Sequence, residues 1–169
     1  MKFRSLMISV VFACLAQHAF ANSNLEQPTG DVILTVSGNI SNTNRDESAV
    51  FDLEMLASLP ETVVETETIW TDGVQVFVGV ALNDLLLAVG AEGTLLEMLA
   101  LNDYMIEIPV TDAVENGPIV AYLRNGSPMS VREKGPLWII YPFDEHDEYS
   151  SEVYYARSIW QLDRIIVKE

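Results

Sequence analysis

Apolar residues recur along this chain with two periods, and the alternation between those periods predicts its elements. Residues 31–36 are apolar and β-branched and predict a strand; residues 37–47, rich in Asn, Ser and Asp, read as a loop. Asp52 stands where it can cap a short helix carrying Leu53, Leu56 and Leu59, with Pro60 ending it. Residues 61–69 alternate Val and Thr with Glu, as a strand with one wet face does, and residues 74–80 repeat the pattern. Leu82, Leu85, Leu86 and Val89 then fall at i, i+3, i+4 and i+7, the spacing of one buried helical face, and Gly90 is a natural stop.

The second half is richer in strands. Residues 95–101 and 104–110 predict a hairpin around Asn102-Asp103. Residues 119–123 and 137–141 are apolar runs, and between them Asn125-Gly126 is a strong turn signal. Residues 160–167 predict the last strand. Many short strands with two or three short helices imply an α+β fold: one compact domain with a mixed, mainly antiparallel sheet, not a doubly wound one.

The N-terminus changes the picture of the compartment. Lys2 and Arg4 precede an almost wholly apolar stretch, residues 6–15, and Ala19-Phe20-Ala21 is a small-x-small cleavage pattern. This predicts a signal peptide over residues 1–21, a leader and first strand over 22–47, and the main domain over 48–169 of an exported protein. The apolar stretch is too short to span a bilayer. Cys14 as a lipidated residue is the weaker alternative, because Val11-Phe12-Ala13 is a poor match to the small residues expected before it.

Cleavage removes the one cysteine, leaving no disulfide and no thiolate. It also leaves 7 cations against 25 acids, a net charge of −18. Such a field repels nucleic acid and anionic membrane and attracts a basic partner; it also simply keeps a protein soluble. The charge is lopsided. Of the 7 cations only Arg45 precedes residue 120, while Arg124, Arg132, Lys134, Arg157, Arg164 and Lys168 are interleaved with Trp138, Tyr141 and Trp160. Guanidinium and indole both present planar faces, so this grouping fits a flat polar ligand, set against ordinary strands with amphipathic rims.

Four motifs occur in order: Phe77-x-Gly79-Val80-x-Leu82-x-x-Leu85-Leu86, Asn102-Asp103-Tyr104-x-x-x-Ile108-Pro109, Gly135-Pro136-Leu137-Trp138-x-x-Tyr141-Pro142 and Trp160-Gln161-Leu162-x-x-Ile165. Together, over roughly residues 48–167, they resemble the oxidoreductase molybdopterin-binding domain, the sulfite-oxidase fold. Enzymes of that family hold molybdenum through a cysteine that precedes the first of these motifs. Here that interval includes Glu65-Thr66-Glu67-Thr68-Ile69-Trp70 and has no Cys, so molybdenum redox chemistry is not expected and no molybdenum cofactor is implied. A molybdopterin-dependent oxidoreductase is the alternative, and an adaptor with an empty pocket a third reading.

Small exported members without the cysteine resemble the pteridine-responsive regulators of the bacterial periplasm. That resemblance implies a non-catalytic sensor that binds a reduced, unconjugated pterin. Such a sensor reports occupancy to the periplasmic region of an inner-membrane protein that makes or degrades cyclic di-GMP. Aromatic faces would stack on the pterin, a carboxylate would accept from its amino edge and an Arg would donate to its carbonyl. The candidate ligand residues are Trp70, Asp103, Tyr104, Arg132, Tyr141, Arg157 and Trp160. Asp103 reads equally as a turn former, and Arg157 as a partner for local acids. Trp138 alternates with apolar neighbours and reads as core. The run Asp144-Glu145-His146-Asp147-Glu148 reads as a solvated acidic turn more readily than as a calcium or magnesium site. No nucleophile elbow or phosphate loop is present.

Overall fold

The computed structural model describes residues 25–169. The signal-peptide reading of residues 1–21, Cys14 included, lies outside the described residues.

The domain is α+β and mainly antiparallel, as expected, with its strands divided between two five-stranded sheets. The first sheet takes β1 (Leu34–Gly38), β2 (Ala49–Phe51), β5 (Leu95–Ala100), β6 (Met105–Pro109) and β10 (Leu162–Lys168), in the order β2-β1-β10-β5-β6. The second takes β3 (Glu61–Thr66), β4 (Gln75–Ala81), β7 (Ile119–Arg124) and β8 (Ser127–Pro128) in that order, with β9 (Trp138–Ile140) also paired to β7. Among the described residues only β1 and β10 run parallel; every other strand pair is antiparallel. Three short helices, α1 (Leu53–Ser58), α2 (Leu82–Ala88) and α3 (Glu152–Arg157), complete it.

Local chemistry accounts for the helix ends. Asp52 caps α1, its carboxylate accepting from the Met55 N–H at 2.8 Å. The same carboxylate also accepts from the Thr29 and Gly30 N–H groups, at 2.7 and 2.8 Å, and so pins the leading segment to the domain. These backbone bonds, Gly30's first and then Met55's, hold its pKa below the ordinary aspartate value. The apolar face of α2 is the one read from spacing: Leu82, Leu85 and Val89 are fully buried and Leu86 nearly so. Gly90 follows at φ +60°, the left-handed conformation a helix stop needs.

The sheets share one core. Leu34, Val36, Leu96, Met98 and Ile165 from the first sheet cluster with Val80, Val120 and Ile139 from the second. The second sheet is buried on its other face too. There Phe77, Ile119, Ala121, Trp138 and Ile140 form a smaller cluster with Val64 and Met129. Alternation along β7 divides Val120 and Tyr122 from Ile119 and Ala121 between the clusters. Gly79 sits where β4 and β7 change register, and a Cβ there would strike the Val120 carbonyl. That close approach explains the glycine in the first motif.

Candidate functional site

All three tryptophans of the chain converge at one end of the smaller cluster. The Trp70 ring centroid lies 5.8 Å from Trp138 and 5.7 Å from Trp160, and Trp138 and Trp160 are 6.4 Å apart. Trp138 is fully buried and donates its indole N–H to the Ser158 carbonyl at 3.1 Å, so it is core, as its alternation implied. Trp70 and Trp160 stand in front of it, partly open to solvent.

Those two rings wall a cleft of about 490 Å³, with Tyr104, Tyr155, Asn102 and Ala100 among its other walls. The floor runs through Ser158 and Ile159, both buried. Trp70 comes from the loop between β3 and β4. That loop is braced by Thr68, whose Oγ1 accepts from the Trp70 N–H at 3.2 Å and bonds the Thr71 hydroxyl at 2.8 Å. Tyr155 comes from α3 and meets Trp70 edge-on, centroids 5.9 Å apart at 83°. Trp160 is fixed by a backbone bridge to Trp138 and by its neighbour Gln161, whose N–H donates to the Lys134 carbonyl at 2.9 Å. Tyr104 and Asn102 come from the β5–β6 turn, where Asn102 Oδ1 accepts from the Tyr104 N–H at 3.2 Å. Edge-to-face contacts between the wall residues leave ring faces for a guest, and a few polar groups at the rim can orient it.

The structure brings together Trp70, Tyr104 and Trp160 of the sequence-predicted ligand residues, and four others stand elsewhere. Asp103 occupies the turn at φ +62°, and its carboxylate pairs with Arg164 at 2.6 Å, so it acts as turn former and ion partner. Tyr141, a candidate ligand residue, lines no wall of the cleft. It is fully buried, and its hydroxyl donates to Asp112 Oδ2 at 2.7 Å. Burial, then that bond, push its pKa far above the ordinary tyrosine value. Arg157 also goes to Asp112, donating to both carboxylate oxygens at 2.9 and 3.2 Å, which bears out the local-acid reading. Arg132 is exposed on the short 3-10 helix Val131–Glu133 and is not among the cleft walls.

The cation beside the indoles is Lys134. Its ammonium sits 4.0 Å from the Trp160 ring centroid and 5.5 Å from that of Trp138. Burial, and secondarily the charge of Arg124, lower its pKa. Lys134 holds φ +77° as the cap of that 3-10 helix. A left-handed lysine leaves no mark in the sequence. Tyr155 had one: Ser151 before Glu152, then four residues free of Gly and Pro, is an N-cap pattern. A second concavity, polar and more open, adjoins the first at Trp70 and is lined by Thr71, Asp72, Gln75 and Arg124. Among the described residues no group of three or more His, Cys, Asp or Glu side chains is close enough to hold a metal ion.

No protein-family model matches the chain, and no curated protein is matched by it.

Proposed function

We propose that this domain is a non-catalytic binding module for a flat heteroaromatic ligand, a reduced pterin, which stacks in the cleft walled by Trp70, Tyr155 and Trp160. The observation that carries the reading is the cleft itself, about 490 Å³ with aromatic walls on several sides. Clefts of roughly 300–1,000 Å³ with apolar walls and few polar groups are the usual form of small-molecule sites. A bicyclic ring fits that volume, and indole and phenol faces suit a planar π-system. Among the described residues the cleft walls carry no carboxylate, so the amino edge of the pterin meets Asn102 instead of Asp103. Occupancy is reported to the periplasmic region of an inner-membrane cyclic di-GMP enzyme, and the pterin acts as ligand, not as cofactor. The order of motifs around Gly79, Tyr104 and Gly135-Pro136 supports the sulfite-oxidase-like assignment of the fold.

Titrating a reduced pterin while following tryptophan emission tests the reading. Three clustered indoles make quenching by a stacked ring large and saturable. Emission that does not change, or changes equally in Trp70→Ala and Trp160→Ala, overturns it.

A further inference from the structure

Among the described residues there are seven cations, and their pairing is uneven. Arg157, Arg164 and Lys168 each hold a carboxylate within 4 Å: Asp112, Asp103 with Asp163, and Glu97. Arg45, Arg124, Arg132 and Lys134 hold none. Three of these four fall between residues 124 and 134, and two of the three, Arg124 and Lys134, lie beside the tryptophan cluster. Arg124, partly buried at the end of β7, lines the polar concavity that shares Trp70 with the aromatic cleft. Lys134 stands over Trp160, whose ring is 5.7 Å from Trp70.

The carboxylates nearby are engaged or apart. Glu133 is folded back into a capping box, its Oε2 accepting from the Ser130 hydroxyl at 2.7 Å and the Ser130 N–H at 3.3 Å. Asp72 lines the same concavity as Arg124 without approaching it within 4 Å. Gln75 shares that wall and is held there by bonds to the Asp72 carbonyl and to Asn125. Arg124 and Lys134 thus flank the Trp70–Trp160 pair with no carboxylate within 4 Å, and the nearby Glu133, which feels the charge of Arg124, is bonded to Ser130 instead. Repulsion between the two cations also contributes to the depressed Lys134 pKa.

We propose that Arg124 and Lys134 form an oxyanion-binding site at the Trp70 edge of the cleft, taking a phosphate or carboxylate group. A guanidinium gives two parallel donors to such a group and the ammonium a point charge from a second side. The group arrives either as a free oxyanion or as an anionic substituent of the ring held in the cleft. The second source rests on the pterin reading; the first does not.

The full mature domain is titrated with inorganic phosphate, and the indole N–H signals of Trp70 and Trp160 are followed by NMR against sodium chloride of equal ionic strength. In a second arm, pterin-6-carboxylate is compared with 6-hydroxymethylpterin, which has the same ring without the charge. The expected result is a saturable phosphate shift that chloride does not reproduce, or about tenfold tighter binding of the carboxylate, the effect of one charged hydrogen bond. Whichever appears should be lost in both Arg124→Gln and Lys134→Gln, two variants so that a folding defect in one does not decide the outcome. Failure of both pterins leaves the phosphate arm to decide and counts against the pterin reading alone. No saturable phosphate shift and no preference for the carboxylate, or effects that persist in both variants, overturns the site.

Discussion

Trp70 touches four aromatic partners, Trp138, Phe143, Tyr155 and Trp160, within 6.4 Å. Its removal therefore affects both packing and ligand, whereas Trp160, with 36% of its surface open, affects mainly the ligand. Trp160→Ala is expected to weaken pterin binding by about 0.5–1.5 kcal/mol, the worth of one aromatic contact beyond its area, with little change in Tm. Calorimetric titration and thermal melts of the same samples check it. Arg132→Ala should leave pterin affinity unchanged, because the side chain is exposed and is not among the cleft walls; the same titration decides. At Asp52 the test is pH. Its native pKa is depressed, so its contribution to stability is present above the ordinary value of 3.8 and is lost as pH falls through the lower native value. Asp52→Ala should lower Tm clearly at pH 7, and the gap from the parent should narrow as both are melted toward pH 2.

At the scale of elements, the helix α3 decides the shape of the cleft, because the chain from Tyr155 to Trp160 forms one side of it. What holds its end is the Asp112 carboxylate, whose side chain is 7% exposed, shared by Arg157 and the Tyr141 hydroxyl. Removing one partner leaves a buried charge poorly compensated, so Arg157→Met should destabilise the domain by about 3 kcal/mol in chemical denaturation. Adding Asp112→Leu should recover part of that loss, since the stranded carboxylate goes with it. The sequence foretold elements wherever a period was clean. The Asp52 cap, the Leu82–Val89 face and the turn at Asn125-Gly126 all stand as read. It did not foretell β2, only three residues long and buried throughout, because a run that short has no period to read. Nor could it divide the strands between two sheets, since that division rests on pairings between distant strands such as β1 with β10. Of the candidate cleft, Trp70, Tyr104 and Trp160 were legible because aromatics are rare enough to stand out, whereas Tyr155 was missed and Tyr141 proved to be core. The site was not legible in its cations, because a lysine two residues from Arg132 reaches Trp160 only through a left-handed turn.

For the whole molecule the governing quantity is charge. Residues 22–123 carry one cation against 17 acids, whereas the cations of the last 46 residues nearly balance their acids. A basic periplasmic region of a membrane receptor would meet the acidic part through a long-range field, which salt screens over about 8 Å at physiological strength. Complex formation with such a receptor is expected to depend on pterin occupancy and to weaken as salt rises. Partner affinity measured with and without pterin, at low and high salt, checks this; equal values in all four conditions contradict it. The central claim, however, is the identity of what the cleft holds, and one measurement reaches it directly. Native mass spectrometry of the protein taken from periplasmic extract should give the mass of the mature domain plus one reduced pterin, with no molybdenum. A bare mass that takes up no added pterin, or a mass carrying stoichiometric molybdenum, would contradict the account.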